Sequence, residues 1–503
     1  MRNRRPATSG NNLAATFFGH PRGLATLFFT EMWERFTYYG MRTVLVLFLV
    51  AAVSAGGFGI DDKTATAIYG LYTAGAYLAA LPGGWIADRL LGARQAVLFG
   101  GIFIALGNGL LAVSTAPRGF YIGLIVIIIG VGLLKPNVSA MVADLYPEGG
   151  ARLDAGFTVF YMGINVGATL GPIVTSAAQQ YIGPRAGFGA AGLFMALGVI
   201  QYYLTRRHLG AAGLVVAQAP GTQPRGKPWL QLWIAIGIAA LLIAACALGL
   251  IPLDPLKLAR ITTVLIAGVS LLYFLYLLFG AGLAAEERRR AIVIGVLFIG
   301  SVLFWAGYEQ AGSSLNLFAE RYTDRVIGAI HFAIPTGWFQ SLNPAFIIIF
   351  APGVAWLWVA LARRSLNPSA PAKFAIGLMV MGSGFLVMAA AATIVAQGSK
   401  VLPTWLFFTY LLHTLGELCL SPVGLSYTTK LAPKRLVGQV MGLWFLSLSL
   451  GNLLAGLIAG EFDAGNLAAM PGQYLHIVFF SVGLGAVLLI LSRPVKRLMG
   501  GVQ

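Results

Sequence analysis

The sequence predicts an all-α membrane protein with two six-helix bundles and two extra helices inserted between them, fourteen transmembrane helices in all. Composition is the first reason: apolar residues make up 58% of the 503 residues and charged residues only 10%, whereas soluble domains carry about 25% charged residues. Spacing is the second, because apolar runs of about 20 residues, enough to span a bilayer, recur along the chain. This composition excludes a soluble enzyme, a nucleic-acid-binding domain and a disordered chain.

The predicted spans fall into groups of six, two and six. The first six are 24–51, 64–87, 95–115, 119–145, 156–179 and 185–205. The other eight are 229–251, 259–282, 291–318, 339–362, 374–396, 402–428, 437–460 and 474–492. Several contain Gly and Pro, which membrane helices tolerate better than soluble ones.

This grouping predicts the domain organisation. The expected parts are a cytoplasmic tail (1–22), an N-terminal bundle (23–207), a cytoplasmic linker (208–228), two peripheral extra helices (229–283), a C-terminal bundle (284–495) and a second cytoplasmic tail (496–503).

Basic residues predict the sidedness. The net charge is +17, and 23 Lys and Arg residues fall on the side of the N-terminus against 8 on the other. Since cytoplasmic loops carry the excess of Lys and Arg, we expect both termini in the cytoplasm. The positive charge therefore reflects the membrane topology. We expect the lipid bilayer as a partner and no nucleic acid. The two cysteines, Cys246 and Cys419, have no metal-ligand spacing, and no cofactor is expected.

A weak internal repeat relates the two bundles. The segments GLLKPNVSAMVADLYP and SPVGLSYTTKLAP each hold two prolines eleven residues apart, at Pro136 and Pro147 and at Pro422 and Pro433. Helices interrupted by Gly or Pro at matching places in two halves are typical of a transporter's binding site.

Seven charged residues lie inside predicted spans, where charge is costly and usually functional. They are Glu31, Glu34, Arg35, Arg42, Lys135, Glu309 and Glu417. The first half holds a net charge of +1 and the second a net charge of −2, so we expect a cationic wall to face an anionic wall across a wet cavity. Such a field suits a zwitterion, and without substrate the walls would pair as a gate. Mutual pairing that only fixes helix packing is the alternative.

The first span carries most of these charges on one helical face. Positions 31, 34, 35, 38 and 42 follow helical spacing, which places Tyr38 beside two acids and two bases. A cluster of this kind can gain or lose a proton by exchanging partners.

The segment EMWERFTYYG at 31–40 resembles the ExxERFxYYG motif of the proton-dependent oligopeptide transporter (POT/PTR) family, bacterial type, a branch of the major facilitator superfamily. The segments GLLKPNVS, FYMGINVGA, FWAGYEQ and GELCLSPVG are similar as well, and GGWIADRLLGAR resembles the superfamily's signature loop. The resemblance runs from about residue 20 to 495 and implies the major facilitator superfamily fold.

The resemblance also implies residue roles. Proton coupling is assigned to Glu31, Glu34, Arg35 and Glu309. Substrate binding is assigned to Arg35, Tyr38, Arg42, Tyr77, Lys135, Asn165, Trp305, Glu309, Asn343, Glu417, Ser421 and Trp444. Two gate salt bridges are expected, Arg42 with Glu309 and Lys135 with Glu417. One departure is Gly70, which stands where animal members place a histidine, so we expect coupling here without that side chain.

The function implied is a proton-coupled symporter that imports di- and tripeptides by alternating access, as a monomer with protons as the coupling ion. The nearest alternative is a relative that carries another anion or zwitterion, such as nitrate, a modified amino acid or a peptide-like compound. An intramembrane enzyme is disfavoured because the sequence contains no HExxH or GxSxG motif. A channel is disfavoured because the charges have both signs, and a receptor-like sensor stays open.

Overall fold

The computed structural model describes residues 17–214, 226–247, 254–328, 331–462 and 465–500. Most of the predicted tail 1–22, residues 215–225 of the predicted linker, the end of the predicted span 229–251 and the last three residues lie outside this range.

The first half contains seven helices. They are α1 (Arg22–Val50), α2 (Asp62–Leu78), α3 (Ala80–Ile86), α4 (Ala93–Val113), α5 (Pro117–Asp144), α6 (Gly150–Tyr181) and α7 (Ala186–Thr205). A five-residue π turn, Ala87–Leu91, follows α3 and carries Asp88 of the signature loop. Two further helices follow in the chain, α8 (Gly226–Ala247) and α9 (Pro255–Leu275).

The second half contains the remaining helices. They are α10 (Ala285–Tyr308), α11 (Ser314–Tyr322), α12 (Leu342–Arg363), α13 (Ala370–Ala396), α14 (Thr404–Leu431), α15 (Val437–Ala459), α16 (Met470–Ile490) and α17 (Ser492–Leu498). A short antiparallel ribbon pairs β1 (Val326–Ile327) with β2 (Phe332–Ala333).

Eleven helices in the described part of the chain are long and apolar enough to cross a membrane. The helix α1 spans 29 residues but carries four charged side chains between positions 31 and 42, so its composition alone does not mark it as a span. Those side chains are buried inside the protein, which is how a membrane helix accommodates charge. The count of fourteen spans stays a prediction.

Each half has its own apolar core. One cluster of buried side chains runs from Leu24 to Leu209, joined by Leu317, and another runs from Val293 to Met499. Helix α9 packs against α2 of the first half and α15 of the second. The extra helix therefore bridges the outside of the two halves.

The predicted span 291–318 is not one continuous helix, which corrects the sequence prediction. Helix α10 ends at Tyr308, residues Glu309–Gly312 form a 3-10 turn, and Ser313 leaves the helical region with φ −122° and ψ −98° before α11 begins. The sequence prediction missed the break because the run is strongly apolar as a whole, although Glu309, Gln310 and Ser313 at the break are polar. The break places Glu309 in the 3-10 turn beyond the end of α10, where its side chain is buried.

Two glycines in the motif FYMGINVGATLG position α1. A Cβ atom at Gly167 would lie 2.1 Å from the Met32 carbonyl oxygen, and one at Gly171 would lie 2.2 Å from the Phe36 carbonyl oxygen. Only glycine permits this approach of two helix backbones. The contact holds the α1 turns that carry Glu31, Glu34 and Arg35 against α6.

Candidate functional site between the two halves

A buried charge cluster occupies the first turns of the charged α1 face. The Arg35 Nε atom lies 3.2 Å from Glu31 Oε1 and also donates to Glu34 Oε2. All three side chains are at most 5% exposed. Within the described residues, Glu31 Oε2, Glu34 Oε1 and Arg35 Nη2 have no protein hydrogen-bond partner. Buried polar atoms are normally satisfied, so this cluster has spare capacity for a proton or a polar group.

A second buried ion pair joins the two halves. Arg42 Nη1 donates to both carboxylate oxygens of Glu309, at 3.1 and 2.9 Å, and the Tyr69 hydroxyl donates to Glu309 Oε2 at 2.8 Å. Glu309 can receive both donors because the helix break between α10 and α11 exposes its side chain to α1 and α2. A charge-assisted contact of this kind, in which one guanidinium nitrogen is shared by both carboxylate oxygens, is among the stronger polar interactions in proteins.

Further contacts between the halves gather at the same end of the bundle, which we call the closed end (residues 50–62, 176–184 and 316–338). Arg321 makes a bidentate ion pair with Asp62, at 2.6 and 2.8 Å. Gln180 donates to the Ala333 carbonyl oxygen at 2.9 Å, and Asn316 donates to the Thr43 carbonyl oxygen at 2.7 Å. The two halves are thus fastened together here.

Glu417 lies on α14 in a polar cluster within the second half. Asn343 Nδ2 donates to Glu417 Oε2 at 2.9 Å and to the Thr414 hydroxyl at 3.0 Å. The Tyr308 hydroxyl in turn donates to Asn343 Oδ1 at 2.8 Å. Glu417 itself is half-buried, so its carboxylate is oriented by Asn343 but retains access to solvent.

Lys135 lies on α5 and is also half-buried. Its Nζ atom is 3.9 Å from the centre of the Tyr77 ring, a cation–π contact. Its charge is repelled by that of Arg35 and attracted by those of Glu34 and Glu31. Lys135 therefore faces the charge cluster of α1 with its ammonium group held on an aromatic ring.

The expected salt bridge between Lys135 and Glu417 is absent from the described part of the structure, where no Lys135 nitrogen lies within 4.0 Å of a carboxylate oxygen. The prediction of this pair is wrong for this conformation. The halves are fastened at the closed end, while Lys135 contacts Tyr77 and Glu417 contacts Asn343. A salt bridge between Lys135 and Glu417 would need the opposite end of the bundle to close.

Known proteins can now be compared with this geometry. The sequence profile described as the POT family matches residues 94–474, most of the chain. The chain belongs to the POT family. The resemblance noted in the sequence and the major facilitator superfamily fold are thereby confirmed, and the protein is a multi-pass membrane protein.

Individual relatives align along nearly the whole chain. The peptide transporter YePEPT of Yersinia enterocolitica is 42% identical over 497 residues, covering 97% of each chain. The di-/tripeptide transporter of Lactococcus lactis subsp. lactis is 34% identical over 503 residues, covering 98% of this chain and 99% of the relative. The crystal structure of a mutant of the peptide transporter POT with alafosfalin superposes with a TM-score of 0.88 at 40% identity, covering 96% of this chain and 97% of that one.

Two other predicted site residues of this POT-family chain lie close to these charges. The Tyr38 ring is 5.1 Å from the Arg35 guanidinium carbon and stacks on Tyr72 at 6.2 Å. The Trp305 ring meets Tyr308 edge-on at 5.1 Å. These contacts connect Tyr38 with the charge cluster of α1 and Trp305 with the polar cluster around Asn343.

Three predicted residues are less closely connected to the charges. Asn165 donates to the Tyr161 carbonyl oxygen of its own helix at 3.0 Å. Trp444 is buried against Gly424 of α14, and Ser421 lies half-buried one helical turn beyond Glu417. The roles of all the predicted site residues in binding and coupling stay predictions.

Three residues whose side chains hydrogen-bond to predicted site side chains were not themselves among the predicted site residues. Tyr69 bonds to Glu309, while Tyr308 and Thr414 bond to Asn343. Sequence signals existed for two of them, since Tyr308 directly precedes Glu309 and Thr414 lies one helical turn before Glu417. Aromatic and hydroxyl residues are common in membrane helices for packing alone, so the sequence did not distinguish them.

Gly70 lies where α2 of the first half crosses α15 of the second. A Cβ atom there would lie 3.1 Å from the Asn452 carbonyl oxygen and 3.2 Å from the Gly456 Cα atom. The backbones of the two halves meet at this point, so a histidine side chain could not be placed here without separating the helices.

Among the described residues no group of three or more His, Cys, Asp or Glu side chains could hold a metal ion.

Proposed function

We propose that this protein is a proton-coupled symporter that imports di- and tripeptides across a bacterial inner membrane by alternating access. The relatives named above are called a peptide transporter and a di-/tripeptide transporter, and they align over almost the whole chain. The geometry of the charged side chains supports the same function from the residues themselves.

One observation carries the proposal: two opposite charges, one on each half, are half-exposed and lack an ion pair with each other. Lys135 on α5 is cationic and Glu417 on α14 is anionic. A short peptide is a zwitterion whose carboxylate suits Lys135 and whose ammonium group suits Glu417. Because Asn343 orients the Glu417 carboxylate at 2.9 Å, the amine site is preformed and needs little reorganisation on binding.

Peptide binding would bridge the two walls. The cationic wall consists of Arg35, Arg42 and Lys135, and the anionic wall of Glu309 and Glu417. A peptide held by its termini satisfies Lys135 and Glu417 at once, and its varied side chains need not be recognised by charge. Tyr77 beside Lys135 and Trp305 beside Tyr308 would supply apolar surface for those side chains.

Proton coupling would use the Glu31, Glu34 and Arg35 cluster. A proton on either acid weakens its attraction to Arg35 and frees the guanidinium group to bind the peptide carboxylate with Lys135. Rocking of the halves then exposes the acids to the cytoplasm, where the proton leaves. One proton crossing a potential of 100 mV releases about 2.3 kcal/mol, which can drive uptake against a peptide gradient.

The proposal includes the orientation of the chain. Both termini would lie in the cytoplasm, as the excess of basic residues on their side predicts. The closed end then faces the periplasm, so the described conformation opens toward the cytoplasm. The transporter would work as a monomer, since each chain contains both walls.

The test is uptake of labelled dialanine by proteoliposomes, with and without an inward-directed proton gradient. We expect the gradient to raise the initial rate several-fold and a protonophore to remove the increase. Equal uptake under both conditions would contradict proton coupling. Inhibition of this uptake by unlabelled dialanine, N-acetyl-dialanine and nitrate would then distinguish a peptide carrier from a relative that carries another anion or zwitterion. Unlabelled dialanine should be the strongest of the three competitors only for a peptide carrier.

A further inference from the structure

A cavity of about 680 Å³ lies away from the site between the halves, where α4 begins and α7 ends. Three arginines line it: Arg94 from the first turn of α4, and Arg206 and Arg207 directly after α7. Nothing in the proposed transport cycle uses this cavity. Its charge and position nevertheless indicate a specific kind of ligand.

The three arginines lack an acidic partner in the part of the chain that the structure describes. Within the described residues, no carboxylate oxygen lies within 4.0 Å of any of the three guanidinium groups. Arg94 is instead anchored by the Ala212 and Gly210 carbonyl oxygens, each at 2.6 Å. Asp144 is the acid near this loop, and it accepts a hydrogen bond from the Gly213 backbone N–H at 3.0 Å. Three like charges around one cavity repel each other, and an anion bound among them would relieve the repulsion.

The position of the cavity selects the kind of anion. Arg94 lies at the start of one membrane-crossing helix, and Arg206 and Arg207 lie at the end of another, so all three sit at the depth of lipid headgroups. Next to them on α7, Tyr203 is 54% exposed and Leu204 is 64% exposed. A free phosphate ion gains nothing from exposed apolar surface, whereas a phospholipid places its acyl chain there and its phosphate among the cations.

We propose that this cavity binds the phosphate of an anionic phospholipid headgroup. Arg206 and Arg207 contact the phosphate, Arg94 holds the loop 210–214 that closes one side of the cavity, and the acyl chain lies along Tyr203 and Leu204. The Arg206 guanidinium carbon already lies 4.2 Å from the centre of the Tyr203 ring, which keeps it at the edge of the cavity. Lipid bound here would tie α4 to α7 within the first half.

The experiment measures binding of phosphatidylglycerol to the purified full-length protein by native mass spectrometry. We expect R206Q/R207Q to weaken phosphatidylglycerol binding about tenfold or more and to leave phosphatidylcholine binding unchanged. The matched control is R363Q/R364Q, which removes two exposed arginines at the end of α12, outside this cavity. That control should bind phosphatidylglycerol as the wild type does.

Two outcomes would overturn the proposal. One is a failure to distinguish R206Q/R207Q from its controls: unchanged phosphatidylglycerol binding in R206Q/R207Q would mean that these arginines do not bind the lipid, and an equal loss in R363Q/R364Q would mean a nonspecific charge effect. The other is displacement of the lipid by inorganic phosphate at equal concentration, which would mean a free-anion site. If R206Q/R207Q does not yield folded protein, L204Q tests the acyl contact: it should weaken phosphatidylglycerol binding, and unchanged binding would again contradict the proposal.

Discussion

The two gate pairs expected from the sequence differ sharply in the structure. Arg42 and Glu309 form a buried ion pair in which Arg42 Nη1 lies 2.9 and 3.1 Å from the two carboxylate oxygens, supported by Tyr69. Lys135 and Glu417 are likewise one cation and one anion on opposite halves. Each of them is nevertheless half-exposed and contacts a residue of its own half. One pair fastens the halves together, while the other is available to a third molecule.

This difference indicates how one fold can alternate between two states. A cross-half ion pair is stable only where the helices carrying it are in contact, and of the two expected gate pairs the closed end brings together Arg42 and Glu309. If the halves rock about the middle of the bundle, closing the opposite end should break the first pair and form the second. The four predictions below test this comparison, from the largest expected effect to the smallest.

Lys135→Ala should abolish proton-driven uptake of dialanine in proteoliposomes, reducing it by about 100-fold or to background. The substitution removes both the carboxylate-binding charge and the cation that would close the opposite end. Lys400→Ala, which changes an exposed lysine in a loop, is the matched control and should transport normally. Unchanged uptake in Lys135→Ala would reject the proposed role of Lys135.

Glu309→Gln should open the closed end. It leaves the Arg42 charge buried without an anionic partner, which costs about 3–5 kcal/mol. The population of molecules with this end closed should therefore fall by about 100-fold or more. Spin labels at Ile182 and Ile327, both exposed at that end, should then report a longer distance in a chain whose cysteines have been replaced by serine.

The control for that measurement is Glu320→Gln. Glu320 is an acid of the same end whose partners, Arg325 and Thr336, belong to its own half. It should leave the label distance unchanged. The same distance in Glu309→Gln as in the wild type would show that the Arg42 pair does not hold the end closed.

Glu417→Gln should raise the dialanine concentration needed for half-maximal uptake by about 30-fold, since loss of one partner of a desolvated charge pair costs about 2 kcal/mol or more. N-acetyl-dialanine lacks the ammonium group, so its weaker inhibition of uptake should be nearly the same in variant and wild type. Equal losses for both compounds would remove Glu417 from the amine site.

Tyr69→Phe should have the smallest effect. It removes one hydrogen bond to the Glu309 carboxylate and keeps the ion pair. The state with this end closed should lose about 1.5 kcal/mol of stability, which lowers its population about tenfold. The same label distances would measure the shift. Tyr121→Phe is the control: it removes a hydroxyl group from α5 and should cause no shift in these distances. A larger shift in Tyr121→Phe than in Tyr69→Phe would contradict the assigned role of Tyr69.

Local sequence patterns predicted a large part of the site. Glu31, Glu34 and Arg35 are neighbours because a helix brings positions three and four apart together, and the structure places them in contact. Apolar runs likewise located most helices to within a few residues. Both inferences depend only on the geometry of a single helix, which the sequence specifies almost directly.

Other features required the tertiary structure. Arg42 and Glu309 are 267 residues apart, and the state of their contact depends on how the two halves lean against each other, as does the separation of Lys135 from Glu417. The break at Glu309–Gly312 and the Tyr69 hydrogen bond were likewise evident only in the tertiary structure. The sequence by itself determined which charges lie inside the membrane and on which half; only the tertiary structure decided which of them meet, because contact between distant helices is set by the packing of whole bundles.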